Sequence, residues 1–588
     1  VLVGHLTDSH RGMPRERNAL RMDAPAVPSP PIAAANPPLT AEDAVDPITP
    51  RLRNPSAMQL TLVSGEASRA AASLLVLPIF DAEVKNPGAT LGAVAEALGP
   101  TFLEAAAEEG FKGGADQSFV FHTHGALPAS RVVLVGLGKQ DAFEDEILRR
   151  AAGRAAKIAQ RVKASSAVVA LPSGVESAAA VRAAAEGVLL GAYRFDRYKS
   201  PSKNDKKVEL AKVSLVLADD EKKSAATTAA LDLAEAVAAG TNFARDLVNE
   251  PAGVMNPKAL ADAISKAGKK AGLAITVGNR RQIEAQKMGM FLAVARASTE
   301  EPQLIHVVYK PKNAEHAKRP PLALVGKAIT FDSGGLSLKP SDAMLDMKID
   351  MAGSGAVFGA MLAIAKIAPP FPVHAFVGAC ENMIGGNAYK LGDVLVSRAG
   401  KTVEVTNTDA EGRLVLGDIL HWAAEHEPFQ LVDLATLTGA CMVALGRDHV
   451  GVFSPSDEVA DDVLGAFRSA GEFGWRLPLH PYLKETLKSD IADMRNAGDR
   501  YGGASSAAMF LKEFVGETPW AHLDIAGPAS YNRERNYQGK GATGVGVRTL
   551  IELVRKHAEN PPAPRTSSKA PRAAKARSPR RAAAKKSA

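Results

Sequence analysis

From Met58 onward the chain alternates short apolar runs with longer stretches in which apolar residues recur at helical spacing. SLLVLPIF (73–80), RVVLVGLG (131–138) and KVSLVLAD (212–219) have the length and β-branched content of buried strands, whereas EDEILRRAAGRAAKIAQRV (144–162) has the spacing of a helix. This alternation predicts an α/β domain with a mainly parallel sheet over 58–220. The Ala-rich stretch from about Lys222 to Leu247 predicts a long helix that Pro251 and Gly253 stop, so 221–255 reads as a connection between domains. A second α/β unit follows over 256–558. Its strands are predicted at LIHVVY, LALVGKAITF, VHAFVGAC and FQLVDLATL, and its last helix at TLIELVRKHAE. The fold class is therefore α/β, with a smaller N-terminal and a larger C-terminal α/β domain.

Both ends lack such patterning. Residues 1–57 are rich in Pro and Ala, as in APAVPSPPIAAANPP, and cannot bury enough surface to offset their ordering entropy, which predicts disorder. Residues 559–588 form a second predicted disordered segment, and a basic one. Nine of the 71 Lys and Arg residues fall in 561–588 with no acid, leaving 62 against 64 acids elsewhere, so the formal charge of +7 belongs to the tail. That tail is a candidate electrostatic footprint for nucleic acid, with a merely solvated tail as the plain alternative. It carries no interleaved aromatics, so sequence-specific readout is not expected. Apolar residues make up 46% and charged residues 23%, the balance of an ordinary globular chain. No apolar run of about 18 residues predicts a membrane span, and the first twenty residues do not have the form of a secretory signal. Cys380 and Cys441, both in apolar surroundings, exclude a disulfide framework and are expected to be buried thiols. A reducing cytoplasm is the expected compartment.

One charged stretch interrupts the second unit. TNTDAEGRLVLGD (406–418) places Asp409, Glu411 and Arg413 at alternate positions before an apolar helical run. Thr408 to Glu411 fits a capping box, and acids favour a helix N-terminus. Were the segment before the helix extended, the same three side chains would instead face one side together. Upstream, LVGKAITFDSGGLSLKP carries Lys327, Asp332 and Lys339 around Gly334 and Gly335, with Asp332 where the predicted strand ends. MLDMKIDMAGSGA places Asp350 before another helix start. Open α/β sheets bind ligands beyond the carboxyl ends of their strands, which is the address of these clusters. Four carboxylates brought together repel unless a cation neutralises them. Oxygen donors with no Cys and no evident His pair suit Mn²⁺, Mg²⁺ or Zn²⁺, and four carboxylates suffice for two ions. Paired ions of this kind hydrolyse amides and esters. Neither a G-x-S-x-G elbow nor an H-E-x-x-H helix is present.

NTDAEGRL at 407–414 resembles the signature octapeptide of the leucyl aminopeptidases, the cytosol aminopeptidase family. VGKAITFDSGGLSLKP, MKIDMAG, GACENM, VDLATLTGA, KSDIADMRNAG and WAHLDIAG resemble further blocks of that family in order and spacing, across roughly Arg245 to Leu553. The segment from Met58 resembles the family's N-terminal domain more weakly. The resemblance implies a catalytic domain with a mixed central sheet flanked by helices, and a metal-dependent aminopeptidase that prefers Leu or other apolar first residues of peptides. It implies two divalent ions per subunit, Mn²⁺ or Zn²⁺, held by Lys327, Asp332, Asp350, Asp409 and Glu411. It further implies Lys339 as the catalytic lysine and Arg413 as the holder of a bicarbonate proton shuttle. Met347, Asn407, Thr436, Leu437 and Gly439 match substrate-site positions, and the assembly implied is a homohexamer. Ile384, Lys390 and Leu391 stand where the family more often has Pro, Arg and Pro, away from the metal positions.

Overall fold

The computed structural model describes residues 58–200, 208–218 and 223–565. The predicted extension 1–57 and nearly all of the predicted tail lie outside them. The first α/β unit is a six-stranded sheet in the order Gln59–Val63, Lys212–Val216, Ser166–Ala170, Leu74–Phe80, Arg131–Gly138, Ser118–His122. All neighbours are parallel except the last pair. Helices Asp145–Arg161 and Ser177–Gly191 cover one face. They touch through Gly187 and Gly191, where a Cβ would collide with the backbone of Arg149 and Gly153, while a Cβ at Gly153 would run into the Tyr537 side chain.

The long helix expected from about Lys222 begins at Ala225, where the Ser224 hydroxyl accepts from Thr227 N and caps it. It runs to Asn249 and packs on helix Ala352–Ile367 of the second unit.

The second unit is built on eight strands. The order is Phe473–Arg476, His449–Phe453, Trp520–Asp524, Gln430–Ala435, Leu322–Asp332, Val373–Asn382, Gln303–Tyr309, Ala274–Gly278. The four central strands are parallel and both flanks carry antiparallel neighbours, so the sheet is mixed. Strand Leu322–Asp332 is almost wholly buried because helices cover both its faces. Leu322, Leu324 and Ala328 join the core under Ala352–Ile367, while Ala323, Val325 and Ile329 join the core under helix Glu411–Ala424. Lys327 falls on the second face by the same alternation. Cys380 and Cys441 are both buried and free, as expected. Among the described residues, no helix is long and apolar enough to cross a membrane.

Candidate metal centre

The chemistry-bearing residues converge at the carboxyl ends of the central strands. Asp332 is the last residue of its strand and pairs in register with Asn382 on the neighbouring one. Beyond it the chain turns through Gly334 and Gly335, both at positive φ, and returns with Lys339. Asp332 Oδ1 accepts from Gly334 N and from Asn382 Nδ2, each at 2.8 Å, which aims Oδ2 at the Lys339 ammonium 2.9 Å away. Lys339 also pairs with Asp409. Asp350 precedes helix Ala352–Ile367, and its Oδ1 accepts from the Thr436 hydroxyl at 2.8 Å.

Lys327 ties these elements together. Its Nζ lies 2.8 Å from Asp350 Oδ2 and 2.9 Å from Glu411 Oε1, and it donates to Thr436 O at 3.0 Å. Its stem runs against Gly412, where a Cβ would overlap Cε and Nζ of the lysine. Carboxylate oxygens of Asp332, Asp350 and Glu411 lie within 4.8 Å of one another, all buried.

The segment 406–410 is neither of the two arrangements read from sequence. Thr408 and Asp409 form a turn, and helix Glu411–Ala424 starts without a side-chain cap. The Thr408 hydroxyl donates to Gly334 O and accepts from Ser337 N, both at 2.7 Å, so it is taken up by the glycine turn. Glu411 reaches Lys327 instead of its own backbone. The capping box is thus not formed, and a turn rather than an extended strand brings Asp409 to the cluster. Asn496 supports that turn: Oδ1 accepts from Thr406 N and Asn407 N at 2.8 and 3.2 Å, and Nδ2 donates to Asn407 O at 2.6 Å. Asn382 lies in GACENM and Asn496 in KSDIADMRNAG, but an amide carries no titratable group to single it out.

The electrostatics are unbalanced. Burial raises the acidities' midpoints of Asp350, Glu411 and Asp409 above the ordinary carboxylate range, and neighbouring carboxylates add to it against the two lysines. Burial alone would lower Lys327 and Lys339, but the surrounding carboxylates overcome it and hold both ammoniums above the usual lysine value. Four acids still outnumber two ammoniums, and Glu411 Oε2 is buried with no hydrogen-bond partner. An oxygen-rich donor set with an orphaned carboxylate oxygen fits hard or borderline divalent cations.

The remaining predicted positions lie close in sequence to residues of this cluster or to Thr436. Arg413 is buried, donates from Nη1 to Asn496 O at 2.9 Å, and keeps Nε without a partner. Burial lowers its guanidinium to about 10, opposed by Glu411 and Asp524. Asn407 Oδ1 accepts from Asp409 N at 2.8 Å, and Leu437 N donates to Asp524 Oδ1 at 3.2 Å. Met347 opens the short 3-10 turn that leads to Asp350. Gly439 opens helix Gly439–Leu445 with free space where a side chain would stand.

Comparison with known proteins gives a consistent picture. Residues 242–551 match the catalytic domain, and residues 76–202 the N-terminal domain, of the cytosol aminopeptidase family. A "Probable cytosol aminopeptidase" of Synechococcus sp. (strain JA-3-3Ab) is 45% identical over 77% of this chain and 88% of its own length. One from Aquifex aeolicus (strain VF5) is 43% identical over 77% and 90%. Among solved structures, a mutant of tomato leucine aminopeptidase superposes with a TM-score of 0.77 at 35% identity, covering 85% of this chain and 97% of that one. Bottromycin maturation enzyme BotP in complex with Mn gives a TM-score of 0.73 at 36% identity, covering 83% and 100%.

Proposed function

The chain belongs to the cytosol aminopeptidase family and is a metal-dependent aminopeptidase, and from that premise we propose that it releases Leu or another apolar residue from the N-terminus of cytoplasmic peptides at a two-metal centre. The observation that carries this reading is the buried Asp332–Asp350–Glu411 cluster, whose charge the two lysines leave incompletely balanced. Asp332, Asp350, Asp409 and Glu411 would hold the ions together with Lys327 as a neutral amine, its ammonium giving up a proton beside a dication, which fits Mn²⁺ or Zn²⁺ and the Mn complex of the BotP relative. Bound there, they would supply Lewis acidity and an activated water.

The chain's own groups do the rest. Lys339, fixed by Asp332 and Asp409, presents a positive charge for the oxygen that becomes negative as the scissile carbonyl is attacked. Arg413, with its unpartnered buried Nε, is the residue that would hold bicarbonate as a general base. Asn407, Thr436, Leu437, Gly439 and Met347 would line the substrate, with Met347 on the apolar side that receives the first residue. A paired assay tests the exopeptidase reading: leucine p-nitroanilide is hydrolysed and N-acetyl-leucine p-nitroanilide is not. Equal hydrolysis of both would overturn it.

A further inference from the structure

Three histidines that the aminopeptidase chemistry does not use meet at the opposite end of the same sheet. His306 on strand Gln303–Tyr309 pairs with Phe376, and His374, two residues earlier on strand Val373–Asn382, lies diagonally beside it on the same face. His426 comes from the turn just after helix Glu411–Ala424. All three are half-buried, and one ring nitrogen from each lies within 4.8 Å of the other two. His306 Nε2 and His374 Nδ1 are 3.3 Å apart. Tetrahedral zinc with Zn–N bonds of about 2.0–2.1 Å places its ligand nitrogens roughly 3.3 Å from each other.

His426 supplies a second observation. Its Nδ1 lies 3.0 Å from Trp422 O, and a carbonyl only accepts, so Nδ1 carries the proton and Nε2 holds the free lone pair. A backbone carbonyl fixing the tautomer of a ligand histidine is the usual support for a metal-binding imidazole. Phe376 stacks on His306 at 4.5 Å and Trp422 stands edge-on to it, giving the cluster apolar walls. Burial, then the neighbouring imidazoles, brings His306 down to about 3; burial, His426 and Arg565 bring His374 down to about 4. Burial also lowers His426, against its Trp422 bond and Glu425 and with Arg398. The rings are therefore neutral near pH 7, the form that ligates.

We propose that His306, His374 and His426 form a separate metal site for a borderline divalent cation such as Zn²⁺ or Cu²⁺, with the fourth position open to water or a further ligand. His374 lies near the start of the strand whose last residue, Asn382, supports Asp332. At about 3.3 Å per residue the two sites are roughly 25 Å apart, so the proposal is independent of the peptidase reading. Imidazole donors also set it apart from the carboxylate centre, because they favour Zn²⁺ and Cu²⁺ over Mn²⁺ and Mg²⁺.

The test counts metal. The full chain and its His306→Ala, His374→Ala and His426→Gln variants are equilibrated with the same Zn²⁺, desalted, and analysed by inductively coupled plasma mass spectrometry. Each variant that folds by circular dichroism is expected to retain one Zn²⁺ per chain fewer than the wild type. Folded variants with an unchanged Zn²⁺ count would overturn the site. His426→Gln, at a turn outside the sheet, keeps the test open if an alanine within the strands disturbs folding. With Cu²⁺, the electron paramagnetic resonance spectrum of the wild type should show imidazole nitrogen splitting that weakens in His426→Gln, and identical spectra would count against the proposal.

Discussion

The Nζ of Lys327 lies 2.9 Å from Oε1 of Glu411, joining the middle of a central strand to the first turn of the helix that covers it. Both groups are buried, and the same ammonium holds Asp350 at 2.8 Å. Replacing Lys327 with Met removes the cation and leaves two buried carboxylates facing each other. Breaking a buried pair in this way costs about 3–5 kcal/mol. Chelator-treated Lys327→Met protein should therefore unfold at a clearly lower urea concentration than chelator-treated wild type. An unchanged midpoint would contradict the role given to this lysine.

Gly412 packs against the stem of Lys327, leaving no room for a methyl group. Because the obstructing atoms belong to the far end of a flexible side chain, Gly412→Ala should fold. Its lysine will be displaced from Asp350 and Glu411. A fall in kcat/KM of at least about tenfold, or roughly 1.4 kcal/mol of barrier, is expected, together with a lower urea midpoint in chelator-treated protein, because the two buried carboxylates lose their ammonium. Wild-type kinetics on leucine p-nitroanilide would show that the contact is not functional.

Asn496 is fully buried and holds the turn that carries Asp409. Asn496→Ala leaves the Thr406 and Asn407 amides without that acceptor, at a cost of about 2 kcal/mol. It should also lower activity by letting Asp409 move. Thermal unfolding and steady-state kinetics on one preparation check both effects, and loss of neither would exclude the supporting role.

These residues also show where sequence reasoning reached and where it stopped. The α/β alternation, the buried strand LALVGKAITF and the strand-end position of Asp332 were legible because apolar runs and turn glycines report directly on burial and chain reversal. The Thr408–Glu411 pattern misled because local hydrogen bonding is only one use for those side chains. Gly334 and Ser337 claim the threonine and Lys327 claims the glutamate, and these partners are distant in sequence. Asn382 and Asn496 were silent for the same reason: an amide acquires its role only when the fold brings backbone groups to it. The histidine cluster was missed because His306, His374 and His426 come from three separate elements and show no ligand spacing along the chain.

Away from the site, Glu186 sets a pH dependence. Burial alone would raise its carboxyl, but Arg149, Arg182 and Arg548 outweigh that and bring it down to about 2. A folded-state value below the unfolded one stabilises above pH 4.5 and is lost as the pH falls toward 2. This group should account for about 3 kcal/mol of the stability lost between pH 5 and pH 2. Glu186→Gln should be less stable at pH 7 and show a shallower acid slope in urea titrations; a parallel slope would assign the acid sensitivity elsewhere.

Glu411 offers the most direct test, since its Oε2 is buried and unpartnered within the carboxylate cluster. Metal content and leucine p-nitroanilide hydrolysis are measured on the same preparations of wild type and Glu411→Ala, with Mn²⁺ or Zn²⁺ restored after chelation. The two-metal account predicts that the variant binds less metal and loses activity by roughly three orders of magnitude, about 4 kcal/mol of barrier. A folded Glu411→Ala protein with wild-type metal content and full activity would contradict it.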